Sequence, residues 1–351
     1  MFHKLFGVAL VSTLLFSCSK EHVEEESSAY VPFSVPEGFP EATHEFLGDN
    51  VKSEEAVFEL GRKLFYEPKL SSDNSISCAE CHEQSFVFTH HGHQLSPGVN
   101  GVNGIRNTQA LQNLAFQTSF NWDGTTPQLF QQPLIPISAE HEMNETMSDV
   151  IAKLSEETDY LEAFKAAFYD EEISTSNILK SFANFMGMMI SDNSKYDQVL
   201  RGEQGIVFTE DELAGKVLFE QKCATCHSGI LFTDESFRNN GLTVNSKIPD
   251  ELGRQSVTSL EEDYYKFKVP SLRNIEKSAP YMHDGRINSL RGVLNYYDSG
   301  VQATANLDPL LNQNGTLGIP LTEDEKDLLL AFLYTLTDDD FLNDERFTAP
   351  L

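Results

Sequence analysis

Gly61-Arg62-Lys63-Leu64-Phe65 leads into Cys78-Ala79-Glu80-Cys81-His82, and Gly215-Lys216-Val217-Leu218-Phe219 leads into Cys223-Ala224-Thr225-Cys226-His227. The two stretches read as an internal repeat: an apolar helical run carrying a glycine, followed by Cys-x-x-Cys-His. The gap from glycine to first cysteine is 17 residues in the first copy and 8 in the second, so the first copy carries an insertion of nine. Cys-x-x-Cys-His is the attachment signature of c-type haem, whose vinyl groups bond the cysteines while the histidine ligates iron. Two intervening residues let both thiols reach one porphyrin edge while the next side chain points at the metal. Zinc is the competing reading, but each Cys-Cys-His set lacks a fourth ligand at finger-like spacing.

The chain has five cysteines, and the fifth, Cys18, ends a short apolar segment. Residues 1–17 carry one formal charge, Lys4, followed by the run Leu5 to Phe16. That run is too short to span a bilayer and reads as a signal peptide. Leu15-Phe16-Ser17-Cys18 looks like a bacterial lipobox, which predicts cleavage before Cys18 and lipidation of its thiol; an ordinary signal peptide with an incidental cysteine is the alternative. The expected location is the periplasmic side of a bacterial membrane, with membrane contact only through the lipid on Cys18. The net charge of −29, or −30 once Lys4 leaves with the signal, repels nucleic acid and anionic membranes and favours electropositive protein partners.

Residues 18–50 hold Glu24-Glu25-Glu26 and Pro32, Pro36 and Pro40, and read as an acidic linker. Ser53 is placed to cap a helix carrying Val57, Leu60, Leu64 and Phe65. Thr209-Glu210-Asp211-Glu212 and Thr322-Glu323-Asp324-Glu325 are capping boxes that open further helices. Asp149 to Phe168 and Ile178 to Ile190 also have helical spacing, whereas long alternating strand patterns are scarce. The expected fold is all-α: two cytochrome c-like haem domains with long loops, at residues 51–200 and 201–345. Long loops suit such domains because the haem supplies much of each small core.

Beyond the haem motifs, the chain carries Arg106-Asn107-Thr108, Asn121-Trp122-Asp123-Gly124, Glu142-Met143, Val269-Pro270-Ser271-Leu272-Arg273-Asn274 and Ala279-Pro280-Tyr281-Met282-His283-Asp284-Gly285. In this order the motifs resemble the bacterial di-haem cytochrome c peroxidases and their MauG-like relatives, over roughly residues 53–340. The resemblance implies two covalently bound haem c groups with His82 and His227 as proximal ligands. It makes the first haem the peroxidatic site, with hydrogen peroxide as substrate, and the second the electron-transfer site. It implies that Glu142, 20 residues after Trp122, is the catalytic acid–base, and that Trp122 relays electrons between the haems. Asn107, with backbone carbonyls near Ser278 and Pro280, resembles the family's calcium site. The implied partner is a small periplasmic electron-donor protein or, in the MauG-like branch, a protein whose side chain is oxidised.

Two positions depart from the usual peroxidase pattern. Typical members carry a distal histidine eight residues before the asparagine at 107; here that position is Val99, which predicts an open first haem. His90, His91 and His93 lie close by and could substitute along another loop path. Typical members also place a methionine fourteen residues after the histidine at 283; here that position is Tyr297, as in MauG-like proteins. Ser289 is placed to cap a helix through Val293, Leu294, Tyr296 and Tyr297, and adjacent side chains diverge by about 100°, so one tyrosine faces the iron. The resemblance selects Tyr297 as ligand, with Met282 as competitor. The reading from another class is a non-catalytic di-haem electron carrier, which would require the His90–His93 loop to cap the first iron.

Overall fold

The structure is a computed structural model that describes Met1, residues 30–44 and residues 47–350. Cys18, the lipobox and the triple glutamate lie outside the described residues. No helix among the described residues is long and apolar enough to cross a membrane. Regular structure is mainly helical. Among the described residues the strands are two short antiparallel pairs: β1 (Phe237–Arg238) with β2 (Phe267–Lys268), and β3 (Asn312–Gln313) with β4 (Thr316–Leu317).

Four helices carry the repeat: α1 (Glu54–Phe65), α2 (Thr175–Gly187), α3 (Glu210–Lys222) and α4 (Glu323–Tyr334). Each begins at a side-chain cap that satisfies a free helix-end N–H. Ser53 Oγ accepts from Ala56 N at 3.2 Å, and Thr209 and Thr322 form reciprocal boxes with Glu212 and Glu325. The α1 helix packs on α2, and α3 packs on α4, with a glycine at each crossing. A Cβ on Gly61 would lie 2.1 Å from Ser181 O and 2.8 Å from Phe185 Cβ. One on Gly215 would lie 2.0 Å from Leu328 O and 3.0 Å from Phe332 Cβ. The sequence repeat is therefore a packing repeat, with each glycine over a backbone carbonyl and the phenylalanine one turn further on. Gly215→Ala is expected to force α3 and α4 apart and cost about 1–3 kcal/mol, the usual range for overpacking. A denaturation midpoint equal to that of the wild type would refute this close approach.

The halves have separate apolar cores. The first joins Phe58, Leu64 and Phe65 of α1 to Phe182 and Phe185 of α2 and to Phe88, Val150, Leu154 and Phe164. The second joins Phe219 of α3 to Leu329, Phe332 and Leu333 of α4 and to Phe232, Leu290 and Leu294. The periodic stretch Asp149 to Phe168 divides into helices Met147–Ser155 and Thr158–Ala167, broken at Glu156-Glu157.

Two chain segments lie elsewhere than their sequence suggests. Phe341 and Leu342, within the expected second domain, belong to the first core together with Phe347, which is 6.3 Å from Phe58 and 6.0 Å from Phe185 by ring centroid. The described part of the expected linker is also packed down. Tyr30 lies 5.7 Å from Phe58, Phe39 lies 5.3 Å from Phe116, and Thr43 N donates to Ala115 O. Burying these aromatic faces outweighs the extended tendency of the prolines around them.

A buried polar network fastens the halves together. Arg273, 1% exposed, gives Nη1 and Nη2 to Asp197 at 2.9 and 2.7 Å, Nε to Ile230 O and Nη1 to Ser191 O. Asn274 Nδ2 donates to Gln112 Oε1 and Ser191 Oγ, while its Oδ1 accepts from Asp338 N. The Ser271-Leu272-Arg273-Asn274 run therefore works as a joint between segments near 112, 191, 197 and 338.

Candidate functional site

Both Cys-x-x-Cys-His motifs open onto one continuous cavity of about 1560 Å³. That exceeds the roughly 300–1,000 Å³ of a single-ligand pocket and gives room for two macrocycles. Cys78, Cys81 and His82 line one part; Cys223, Cys226 and His227 line the other. Cys78 and Cys81 bound a single helical turn capped by His82. His82 Nδ1 is 2.6 Å from Phe88 O, and His227 Nδ1 is 3.2 Å from Phe232 O. Phe88 and Phe232 both have positive φ, 56° and 53°, which turns each carbonyl back onto its histidine. A donor hydrogen bond from Nδ1 leaves Nε2 unprotonated, the form a metal requires. Burial lowers both imidazoles, His82 to about 4, so both are neutral. Burial pushes the Cys78 and Cys223 thiols up to about 12, so both are protonated thiols near neutrality. Among the described residues no group of three or more His, Cys, Asp or Glu is arranged to hold a metal ion. The residues fit haem.

The same cavity is also lined by Gly98, Pro133, Pro136, Ile137, His141, Glu142 and Met143. The Glu142 backbone is gripped from two sides. Its N–H donates to Ala139 O, and its carbonyl accepts from Val99 N at 2.8 Å. Gly98 fits because it has no side chain: a Cβ there would lie 2.3 Å from His141 O and 2.5 Å from Glu142 O. Burial raises the Glu142 pKa, with the His141 charge opposing. The loop histidines do not line this cavity. His90 Nε2 is 2.9 Å from His93 Nδ1, His90 Nδ1 is 3.1 Å from Glu80 O, and His91 stacks on Phe86 at 4.0 Å.

Tyr297 and Met282 both line the cavity, whereas Tyr296 turns away and donates from Oη to Asn240 O at 3.0 Å. Ser289 Oγ caps the Leu290–Asn295 helix, and a π-turn at Tyr296–Gly300 follows. Burial raises the Tyr297 pKa, and the Asn240 side chain, hydrogen-bonded to it, acts in the opposite direction. Asn240 Nδ2 also reaches Met282 Sδ at 3.6 Å, and Asn240 Oδ1 accepts from Leu242 N. The backbone donor fixes which way this amide points.

Trp122 sits in the cavity wall where the halves meet. Its Nε1 donates to Asn107 O at 2.8 Å, its carbonyl accepts from Lys268 N, and it packs beside Tyr265, Phe267 and Met282. Asn107 N donates in turn to His283 O at 2.7 Å. Arg106 clamps the same joint, holding Glu251 through two bonds at 2.7 and 2.9 Å and Asp123 at 2.7 Å. Asn107, Ser278 and Pro280 all line the cavity. His283 stacks on Phe267 at 3.8 Å, and its buried Nε2 has no hydrogen-bond partner. Sequence reasoning missed Gly98, His141, Asn240, Glu251 and Lys268. Their partners lie in other segments or in no motif, so nothing local in the sequence marks them; for His141 the adjacency to Glu142 was a usable signal.

The sequence model for the family described as di-haem cytochrome c peroxidase matches residues 55–205. The methylamine utilization protein MauG of Methylorubrum extorquens is 36% identical over 285 residues, covering 79% of this chain and 77% of that protein. The cytochrome c551 peroxidase of Nitrosomonas europaea is 32% identical, covering 80% of each chain. Among solved structures, a MauG-like protein associated with microbial copper homeostasis superposes with a TM-score of 0.81 at 30% identity, covering 92% of this chain and 99% of that one. Two Cys-x-x-Cys-His motifs on one cavity and these similarities lead to one conclusion: the chain belongs to the di-haem cytochrome c peroxidase and MauG family.

Proposed function

We propose that this oxidoreductase, which acts on peroxide and carries two c-type haems, reduces hydrogen peroxide at the His82 site with electrons that enter through the His227 site. The observation that carries the reading is the continuity of one cavity from Glu142, past Trp122, to Tyr297. Cys78, Cys81 and His82 would hold the first haem, and Cys223, Cys226, His227 and Tyr297 the second. The haems supply iron that binds peroxide and exchanges electrons. Glu142 takes a proton from one peroxide oxygen and returns it to the other, which lets that oxygen leave as water. Trp122 offers an oxidisable ring in the wall between the sites, and Asn107 with the Ser278 and Pro280 carbonyls would take a calcium ion at the joint. The electron donor is a small periplasmic redox protein, and the lipid on Cys18 holds the enzyme at the membrane.

A second reading, oxidation of a side chain on a partner protein, is favoured by the similarity to MauG and by the tyrosine at 297. The discriminating experiment is an optical and electron-resonance spectrum of the ferric protein, followed by reduction and peroxide titration. A high-spin component at rest, with two electrons consumed per peroxide, is expected. Two low-spin haems that ignore peroxide both at rest and after reduction would support the electron carrier instead.

Tyr297→Phe is expected to alter the low-spin ferric spectrum and raise the second haem's potential by on the order of 0.1 V, because a phenolate stabilises ferric iron. If Met282 is the ligand, this variant leaves the spectrum alone and Met282→Leu changes it.

A further inference from the structure

His141 stands next to Glu142 at the first site, with Nε2 3.7 Å from Glu142 Oε1. Both side chains line the cavity and are partly buried, 32% and 42% exposed. The absent side chain of Gly98 lets its loop lie directly on the carbonyls of residues 141 and 142, which holds the pair side by side.

Converting one hydrogen peroxide to two waters consumes two electrons and two protons. Glu142 moves a proton between the peroxide oxygens, which supplies none of the two. We propose that His141 is the entry point for them: it takes protons from solvent and passes them to Glu142, while the family's redox partner supplies the electrons. This rests on the reading of Glu142 given above. His141 acts through Glu142 and not on peroxide, so it is a positioning residue for the proton.

The surroundings leave His141 as the group suited to this task. Glu145 is committed to Lys153 at 2.6 Å. Asp73, on the loop whose Ser72 N–H donates to Met143 O, is held low by hydrogen bonds from Ser75 and stays anionic. Glu140 does not line this cavity. The Leu134–Ser138 turn of helix and Gly98-Val99 contribute no ionisable side chain. Cys78 and Cys81 are consumed as thioethers in the holoprotein.

The test compares holoenzyme turnover of wild type, His141→Gln, Glu142→Gln and the double variant from about pH 5 to about pH 8, across the imidazole range. Wild-type kcat is expected to fall as pH rises through that range. His141→Gln should lose this alkaline limb and run about tenfold or more slower at the acid side, with KM, haem content and ferric spectrum little changed. The double variant should be no slower than Glu142→Gln, because the two residues act in series. His141→Asn repeats the comparison if the glutamine variant loads haem poorly. A His141→Gln enzyme that keeps both rate and limb overturns the proposal, as does a double variant tenfold slower than Glu142→Gln. Wild-type turnover in Glu142→Gln would instead sink the reading of Glu142, and the relay with it.

Discussion

Glu142→Gln is expected to lower peroxide turnover by about 10²–10⁴-fold with both haems still attached, the range contributed by a positioned proton-transfer group. Glutamine keeps the shape of the side chain and the backbone bonds to Ala139 and Val99, so the cavity wall should not move. What it loses is a basic oxygen. Burial raises the Glu142 pKa, which weakens its preference for the ionised form and makes the carboxylate a stronger proton acceptor. Activity that needs the carboxylate at the start should fall as pH drops through this raised value. Together with the alkaline limb assigned to His141, the wild type should show a bell-shaped profile. Turnover of Glu142→Gln within threefold of the wild type, at equal haem content, would remove the carboxylate from the mechanism.

The second large effect is on stability. Asp197→Ala should cost about 3–5 kcal/mol, because it leaves the Arg273 guanidinium buried without its charge partner. Arg273 cannot escape to water: it is 1% exposed and is also tied to Ile230 O and Ser191 O. Arg273→Met should do less harm than Asp197→Ala if its chain packs the space, although it in turn strands Asp197. Burial by itself would raise the Asp197 pKa, but hydrogen bonds and charge from Arg273 outweigh this and hold it below the ordinary carboxylate value. The sign for pH follows. The folded-state pKa is lower than the unfolded one, so the stabilisation is fully present above the usual carboxylate value of about 3.9 and is lost as pH falls through the folded value. Denaturation of wild type and Asp197→Ala at neutral and acid pH measures this: the gap between them should narrow toward acid. A constant gap would mean that the pair contributes through packing alone.

Much of the fold is local and was readable for that reason. A Ser, Thr or Glu three residues from its partner decides a helix start within one turn, so the caps at Ser53, Thr209 and Thr322 needed no tertiary knowledge. The repeat around Gly61 and Gly215 was visible as letters, but its meaning was not. A glycine in a helix reads as a flaw until the carbonyl of Ser181 or Leu328 is seen against it. Where the aromatic residues near the termini pack was not legible, because hydrophobicity says that a ring is buried, not in which core. Phe347 belongs with Phe58 and Phe185, far back in the chain.

The candidate site divides in the same way. Covalent chemistry is written in spacing, so the two Cys-x-x-Cys-His motifs by themselves point to where two haems would attach, and Glu142, Trp122 and Tyr297 stand at positions that resemble motifs of a known family. Which groups share a cavity, and what each is tied to, is a property of contacts between segments distant in the chain. Only the tertiary structure turned Tyr296 away while leaving Tyr297 and Met282 on the cavity, paired His90 with His93 away from it, and laid Gly98 and Val99 along the backbone of His141 and Glu142. The physical reason is range: a thioether motif or a helix cap is decided within a few bonds, whereas a pairing such as Arg106 with Glu251 exists only after the chain has closed.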